Sequence, residues 1–211
     1  MSAREATKLA NRSAILAAGR EVFASDGYEA ASVRDIVRRT DLASGTFYNY
    51  FPDKASIFAA LVGEVAGEAL RRARAARRDA SDAHAFVEDA YRAYFSFVVE
   101  EPARLAFIAR NLGTIREQFG ETVLAAGAAE LREDLEAAIA SGELAEVDVD
   151  YCAHTMIAVG IELGQRLVLR DPPDVEGATA FATALFAGSG AMSLAIARGE
   201  AGSSARTKRE R

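Results

Sequence analysis

The run DLASGTFYNYFPDK, residues 41–54, is the feature that most constrains the fold of this 211-residue chain. A proline cannot continue a helix, so a helix that begins near residue 44 must end before Pro52. Four aromatic residues fall within five positions just before that proline. At about 100° per residue, Phe47 and Phe51 share one side of the helix and are about 40° apart. The spacing predicts a short helix that buries two rings, together with Leu42, and turns a different face outward.

The outer face of this helix is predicted to have Gly45 and Asn49 near its centre and Thr46 and Tyr48 at its flanks. Glycine has no side chain, so Gly45 would let the helix backbone approach a duplex closely. Asn49 can bond a base edge or a phosphate, and the hydroxyls of Tyr48 and Tyr50 can donate to phosphates. The composition of the face is typical of a DNA-reading surface.

Lys54 lies near the start of the next predicted helix, where the helix dipole favours an acidic residue. A cation beside the free backbone N–H groups of a helix start can hold a phosphate. A solvated surface lysine is the alternative interpretation.

Apolar periodicity over the whole chain predicts an all-α fold of about nine helices. Gly27 is a predicted helix stop, and Ser32 with Asp35 resembles a capping box for the second helix. The second and third predicted helices are joined by a tight turn, which makes a helix-turn-helix unit. The predicted helices span about 8–26, 33–39, 44–51, 53–80, 82–100, 102–111, 114–140, 149–169 and 174–198.

Composition supports this class. Hydrophobic residues make up 50% of the chain, with four prolines and no tryptophan, which favours packed helices. One cysteine cannot form an intrachain disulfide, and the charged N-terminus is not typical of a signal peptide. No apolar window is long enough for a membrane span, so we expect a cytoplasmic protein without a membrane partner.

Charge is unevenly distributed along the chain. Residues 1–56 have a net charge of +1, residues 57–202 of −10 and the last nine of +3, within a total of −6. The N-terminal part is therefore relatively basic, although +1 alone is a weak indication of DNA binding. The acidity of the larger part leaves open an alternative, a helix-turn-helix module that binds a ligand or a protein but not DNA.

The stretch SVRDIVRRTDLASGTFYNYFPDKASIF, with the preceding VFASDGYEAASV, resembles the DNA-binding signature of TetR-type transcriptional regulators over roughly residues 10–58. The resemblance implies a helix-turn-helix DNA-binding domain over 1–56 and a helical ligand-binding and dimerisation domain over 57–200. Residues 201–211 lack apolar periodicity and are predicted to be a disordered basic tail. The implied protein is a homodimer that binds a double-stranded DNA operator and a small-molecule effector, usually as a repressor.

Carried over to matching positions, the family pattern implies base or phosphate contacts from one set of residues. The family usually has threonine where this chain has Val33, so one common hydroxyl contact is missing. The implied DNA contacts are Arg34, Ser44, Gly45, Thr46, Tyr48, Asn49, Tyr50 and Lys54.

The middle helices contain more aromatic residues than most helices need, which predicts a largely apolar ligand pocket with a few polar groups. Ordinary core packing is the alternative. The segment from YRAYFSFVVEEPARLAFIARNL to REDLEAAI also looks loosely similar to fatty-acid-responsive members of the family, which suggests a fatty acid or acyl-CoA as effector. The candidate ligand residues are Tyr91, Tyr94, Phe95, Phe107, Arg110, Asn111, Phe119 and Met156.

Small residues at helical spacing characterise the last two predicted helices, and small faces allow helices to cross closely. Two such helices from each subunit would form a four-helix dimer interface, and a two-fold dimer would read two half-sites of a palindrome. Packing within one subunit is the alternative. The candidate interface residues are Gly160, Gly164, Ala184, Gly188 and Ala191.

Residues with catalytic or metal-binding chemistry are few. Neither His84 nor His154 lies in a nucleophile or metal motif. Asp148 and Asp150 are interpreted as acids at a helix start, and Cys152 as a buried small residue. We therefore expect no catalytic residues, no metal and no cofactor, and the chain is not predicted to be an enzyme.

Overall fold

The computed structural model describes residues 2–142, 144 and 146–188, and the regular structure of those residues is entirely helical. This confirms the all-α prediction. Within the described part, none of the helices is both long and apolar enough to cross a membrane. The helices are α1 Ala3–Asp26, α2 Val33–Val37, α3 Ser44–Tyr48, α4 Lys54–Arg78, α5 Ala83–Glu100, α6 Pro102–Ser141, α7 Val149–Leu167 and α8 Val175–Thr183, followed by a π-helical turn, Ala184–Gly188.

Reciprocal side-chain bonds fix the start of α1. The Ser2 side chain accepts a hydrogen bond from the Glu5 N–H, and the Glu5 carboxylate accepts one from the Ser2 N–H. Two otherwise unpaired N–H groups are thus satisfied, so the helix begins earlier than the predicted Lys8. At the other end Gly27, with φ of 82°, ends α1 as predicted.

The helix-turn-helix pair follows the predicted capping chemistry. Ser32 and Asp35 form a capping box at the start of α2. Helix α3 ends at Tyr48, three residues before the predicted end, because its last turn tightens. The Asn49 N–H donates to the Thr46 carbonyl at 3.2 Å, and the Tyr50 N–H donates to Phe47 at 2.9 Å.

Helix α6 replaces two predicted helices. Its backbone is non-helical only at Asn111, with φ of −113° and ψ of 15°, so the predicted break is a kink. Gly113 alone does not end a helix, which is why the described residues contain eight α-helices where nine were predicted. Beyond Gly188, the rest of the predicted 174–198 helix and the basic tail lie outside the described residues.

The chain packs as two compact units. The first comprises the residues up to Glu68 together with Val99–Gly120, and the second comprises Ala69–Val98 and the described residues from Glu121 onward. These units are defined by packing, whereas the predicted boundaries at residues 56 and 200 concern function and stay predictions.

Aromatic side chains form the centre of the first unit. Phe23 meets Phe58 edge to face at 5.1 Å between ring centroids, and Phe58 lies 5.6 Å from Phe107. Each of these three rings is almost completely buried. Their burial fixes α1, the first turns of α4 and the first half of α6 together.

Helices α5, α6 and α7 supply the core of the second unit. Tyr91 stacks on Phe95 at 5.7 Å, and its hydroxyl donates to the Met156 carbonyl at 2.8 Å. Predicted features of α7 are confirmed, since Asp148 caps the helix and Cys152 is buried.

Candidate nucleic-acid interface

Helix α3 has only five residues, and its N-cap residue, Ala43, makes no side-chain hydrogen bond. So short a helix is not stable alone, and tertiary packing must hold it in place. Phe47 is completely buried and Phe51 is 5% exposed, and both belong to the core of the first unit. The predicted inner face of α3 is therefore the face that packs.

The outer face of α3 is open. Tyr48 leaves 58% of its surface exposed, and Gly45 and Asn49 are also exposed. A Cβ atom added at Gly45 would meet nothing within 4 Å, so the helix backbone there is accessible to a large partner. Thr46 is half-buried beside these residues. Helical geometry thus divides the aromatic run into core and surface as predicted.

Tyr50 lies at the edge of this surface and is half-buried. Its hydroxyl oxygen accepts a hydrogen bond from Nδ2 of Asn11 at 3.2 Å, which leaves the O–H free to donate to a phosphate. Arg12, the next residue of α1, lies 5.4 Å over the Phe51 ring. Asn11 and Arg12 were not predicted from the sequence, since only the folded chain brings them beside α3.

Lys54 has intramolecular partners. Its Nζ donates to the Tyr28 carbonyl at 2.7 Å and lies 4.4 Å from the centre of the Tyr28 ring. One N–H group at the start of α4 is already satisfied, because Asp53 Oδ1 accepts a hydrogen bond from the Ser56 N–H at 2.7 Å. The predicted phosphate clamp therefore has fewer free N–H donors than a bare helix start would have.

Arg34 lies in the first turn of α2 and is exposed. The adjacent Asp35 accepts from the Ser32 hydroxyl, and this hydrogen bond holds the pKa of Asp35 below its usual value. Asp35 also lies 3.9 Å from Arg38. For Ser44 only the backbone, at the start of α3, is described.

The candidate ligand residues fall into two groups. Phe107, Arg110, Asn111 and Phe119 belong to the first unit, whereas Tyr91, Tyr94, Phe95 and Met156 belong to the second. Phe107 and Phe119 pack against Phe58, so they serve the core of the first unit.

The second group is a compact aromatic cluster. Tyr94 lies 5.4 Å from Phe95, which in turn stacks on Tyr91. Burial raises the pKa of Tyr94 to about 12 and raises that of Tyr91 as well. Both phenols therefore stay protonated near neutral pH, and each can donate a hydrogen bond.

The interface assignment of two glycines needs a correction. Gly160 and Gly164 are buried inside the second unit, where a Cβ atom at Gly160 would lie 3.3 Å from the Tyr91 ring. At Gly164 it would lie 2.8 Å from the Tyr94 hydroxyl. Their small size accommodates tyrosines of the same subunit. Ala184 is exposed, Gly188 ends the π-helical turn, and Ala191 lies outside the described residues.

Metal-binding chemistry is sparse in the described part of the chain, where no group of three or more His, Cys, Asp or Glu side chains could hold an ion. Asp150 pairs with Arg132 and lies 3.5 Å from His154 Nδ1. These acids cap and cross-link helices.

These observations define an all-α protein with an N-terminal helix-turn-helix and a larger helical part. Residues 15–61 match the family described as "Bacterial regulatory proteins, tetR family", and this range contains α2, α3 and the start of α4. Over this range the chain therefore carries the N-terminal region of tetR-family regulators. Among curated proteins, no sequence matches it.

Solved structures share the fold. A TetR-family transcriptional regulator from Pectobacterium atrosepticum is 23% identical, with a TM-score of 0.65 over 87% of this chain and 93% of its own. The fatty acid degradation regulator FadR from Bacillus halodurans is 22% identical, with a TM-score of 0.68 over 82% and 93%. The transcriptional regulator FadR from Bacillus subtilis, in complex with stearoyl-CoA, is 24% identical, with a TM-score of 0.67 over 82% and 95%.

Proposed function

We propose that this protein is a dimeric transcriptional repressor that reads a palindromic DNA operator with α3. One observation carries the proposal: α3 is fixed by buried Phe47 while Gly45, Tyr48 and Asn49 are exposed together on its other side. A recognition helix needs such a combination, because a rigid inner face lets outer side chains meet base edges at fixed positions. The match of residues 15–61 to tetR-family regulatory proteins supports DNA as the partner.

The remaining contacts surround this helix. We expect Arg34 and Tyr50 to meet phosphates, and Ser44 and Thr46 to contact the DNA beside the reading face. Lys54 is the exception, since its ammonium group is already bonded to the Tyr28 and Glu29 carbonyls. We assign it a position near the backbone of the DNA, with one of its three protons left for a phosphate.

We propose that the dimer forms through the last two helices. Exposed apolar side chains on α8 and the following turn support this surface, since Phe181 is 58% and Leu185 is 42% exposed, and Ala184 lies between them. Exposed apolar groups close together often mark a protein interface. A two-fold axis would then set the spacing between two copies of α3.

The proposed effector is a largely apolar molecule, a long-chain fatty acid or its acyl-CoA. Tyr91, Tyr94, Phe95 and Met156 provide apolar surface, and the Tyr94 phenol can donate a hydrogen bond, a composition suited to such a ligand. The likeness to the FadR structure that contains stearoyl-CoA supports this class of effector. Asn111 is left out of this site, because its amide is engaged elsewhere.

Selection of genomic DNA fragments by the purified protein tests the proposal, with and without stearoyl-CoA and palmitate. Enriched fragments that share a palindrome, and that dissociate when one ligand is added, are expected. Fragments enriched equally in every condition would exclude these effectors while DNA recognition stands. Absence of any enriched fragment would exclude DNA recognition and favour the ligand-binding or protein-binding module.

A further inference from the structure

Asn111 has the most unusual environment among the polar residues of the first unit. It is 2% exposed, and its backbone angles are the one non-helical break inside α6. A buried amide is costly unless it is hydrogen-bonded, so its partners indicate why it is there.

The Asn111 side chain makes three hydrogen bonds, and all three partners are backbone atoms. Nδ2 donates to the Phe23 carbonyl and to the Phe107 carbonyl, each at 2.8 Å. Oδ1 accepts from the Tyr28 N–H at 2.7 Å. The Phe23 carbonyl is the same atom that accepts the Gly27 N–H at the end of α1. One side chain of α6 thus closes the turn that follows α1.

The turn continues this connection to α4. The Tyr28 N–H donates to Asn111 Oδ1, and the Tyr28 carbonyl accepts from Lys54, the first residue of α4. The Tyr28 ring also packs at 4.6 Å against Phe58, one turn further along α4. A contiguous series of bonds therefore runs from the kink of α6, through Tyr28, to the helix start that directly follows α3.

We propose that Asn111 is a positioning residue for the helix-turn-helix, with the Asn111–Tyr28–Lys54 series holding the start of α4 against α6. Only the part of the inference that concerns DNA affinity rests on the proposed function. The link is mechanical: a shift of α6 at its kink changes the α1–α2 turn and, through Lys54, the support of α3. Asn111 acts through these residues and does not touch DNA.

Hydrogen exchange measured by mass spectrometry tests the series without DNA or effector. Asn111→Asp keeps the shape of the side chain and one acceptor but removes both donors. We expect amides of residues 24–31 to exchange about tenfold faster or more, and those of residues 47–58 to exchange severalfold faster. Lys54→Met, which leaves Asn111 in place, should accelerate amide exchange in the same two segments. Ile15→Val, which trims the same core without touching the series, is the control and should leave both segments within twofold of the parent.

Faster exchange confined to residues 24–31 in Asn111→Asp would overturn the proposal, because the residue would then only cap a turn. If Asn111→Asp does not fold, Lys54→Met alone decides. Unchanged exchange at residues 24–31 in that variant would contradict the proposed Asn111–Tyr28–Lys54 series. Affinity for a selected DNA fragment adds a second readout, with a loss of roughly threefold to tenfold expected for Asn111→Asp and none for Ile15→Val. If no fragment is selected at all, the proposed function fails while the exchange result still decides the positioning role.

Discussion

Phe47 is completely buried, whereas the next residue, Tyr48, leaves 58% of its surface in solvent. Neighbours on a helix are about 100° apart, so one can anchor the element while the other stays available to a partner. Tyr28 also has two roles. Its ring packs against the core, while its N–H and carbonyl form hydrogen bonds with side chains of α6 and α4. Single residues of this unit therefore join packing to function.

Gly164 provides a test of packing around a single residue. Gly164→Ala would place a Cβ atom 2.8 Å from the Tyr94 hydroxyl, so the ring must move. We expect the free energy of unfolding to fall by about 1–3 kcal/mol. Gly63→Ala is the matched control, because its Cβ would meet nothing within 4 Å on an exposed face of α4, and stability should rise by about 0.5–1 kcal/mol. Denaturant titration of both variants measures the difference, and equal effects would contradict the tight Tyr94 contact.

Residue patterns predicted the faces of α3 and the Ser32 and Asp35 capping box, because both depend on neighbours within one or two turns. They did not predict the partners of Gly164, Lys54 or Asn111. Small residues at helical spacing allow close packing within one subunit or between two subunits. Both kinds of packing give the same sequence pattern, so the pattern does not distinguish them. The Asn111 and Phe23 bond spans 88 positions, a separation over which helical periodicity carries no information.

Helices α4 and α6 are joined by a group of charges in the second unit. Arg77, whose side chain is 4% exposed, donates from Nε to Asp134 at 2.8 Å and lies 3.3 Å from Glu130. Arg74 lies 3.0 Å from Glu133 and 3.2 Å from Asp134. The hydrogen bond to Glu133, followed by the charge of Asp134, raises the pKa of Arg74. Both arginines at the end of α4 therefore bind acids of another helix.

Asp134→Asn should therefore be strongly destabilising. The substitution leaves the buried Arg77 charge without its nearest counter-charge, and breaking one partner of a buried pair costs about 3–5 kcal/mol. Glu162→Gln breaks an exposed pair with Arg166, whose side chain is 68% exposed, and should cost less than about 0.5 kcal/mol. Thermal unfolding of the two variants separates the cases, and a small loss for Asp134→Asn would show that water reaches Arg77.

At the scale of the whole molecule, the proposed repressor consists of two copies of the chain. The surface proposed for pairing contains Phe181, and a charge there would have to be buried on association. Phe181→Glu should convert a dimer of twice 22.5 kDa into a monomer. Leu9→Glu is the control, since Leu9 on α1 has the same exposure of 58%. Sedimentation velocity distinguishes the two species. A Phe181→Glu variant that sediments like the parent chain would place the interface elsewhere.

We propose that the outer face of α3 reads DNA, and substitution of the exposed Tyr48 tests this role. Fluorescence anisotropy with a selected DNA fragment should show Tyr48→Ala binding at least about tenfold more weakly, with the unfolding temperature unchanged, because the side chain is exposed and contributes little to packing. Tyr151→Ala removes an even more exposed tyrosine, 74% accessible, from the start of α7 and should bind like the parent. Unchanged affinity of Tyr48→Ala, or an equal loss in Tyr151→Ala, would contradict the claim.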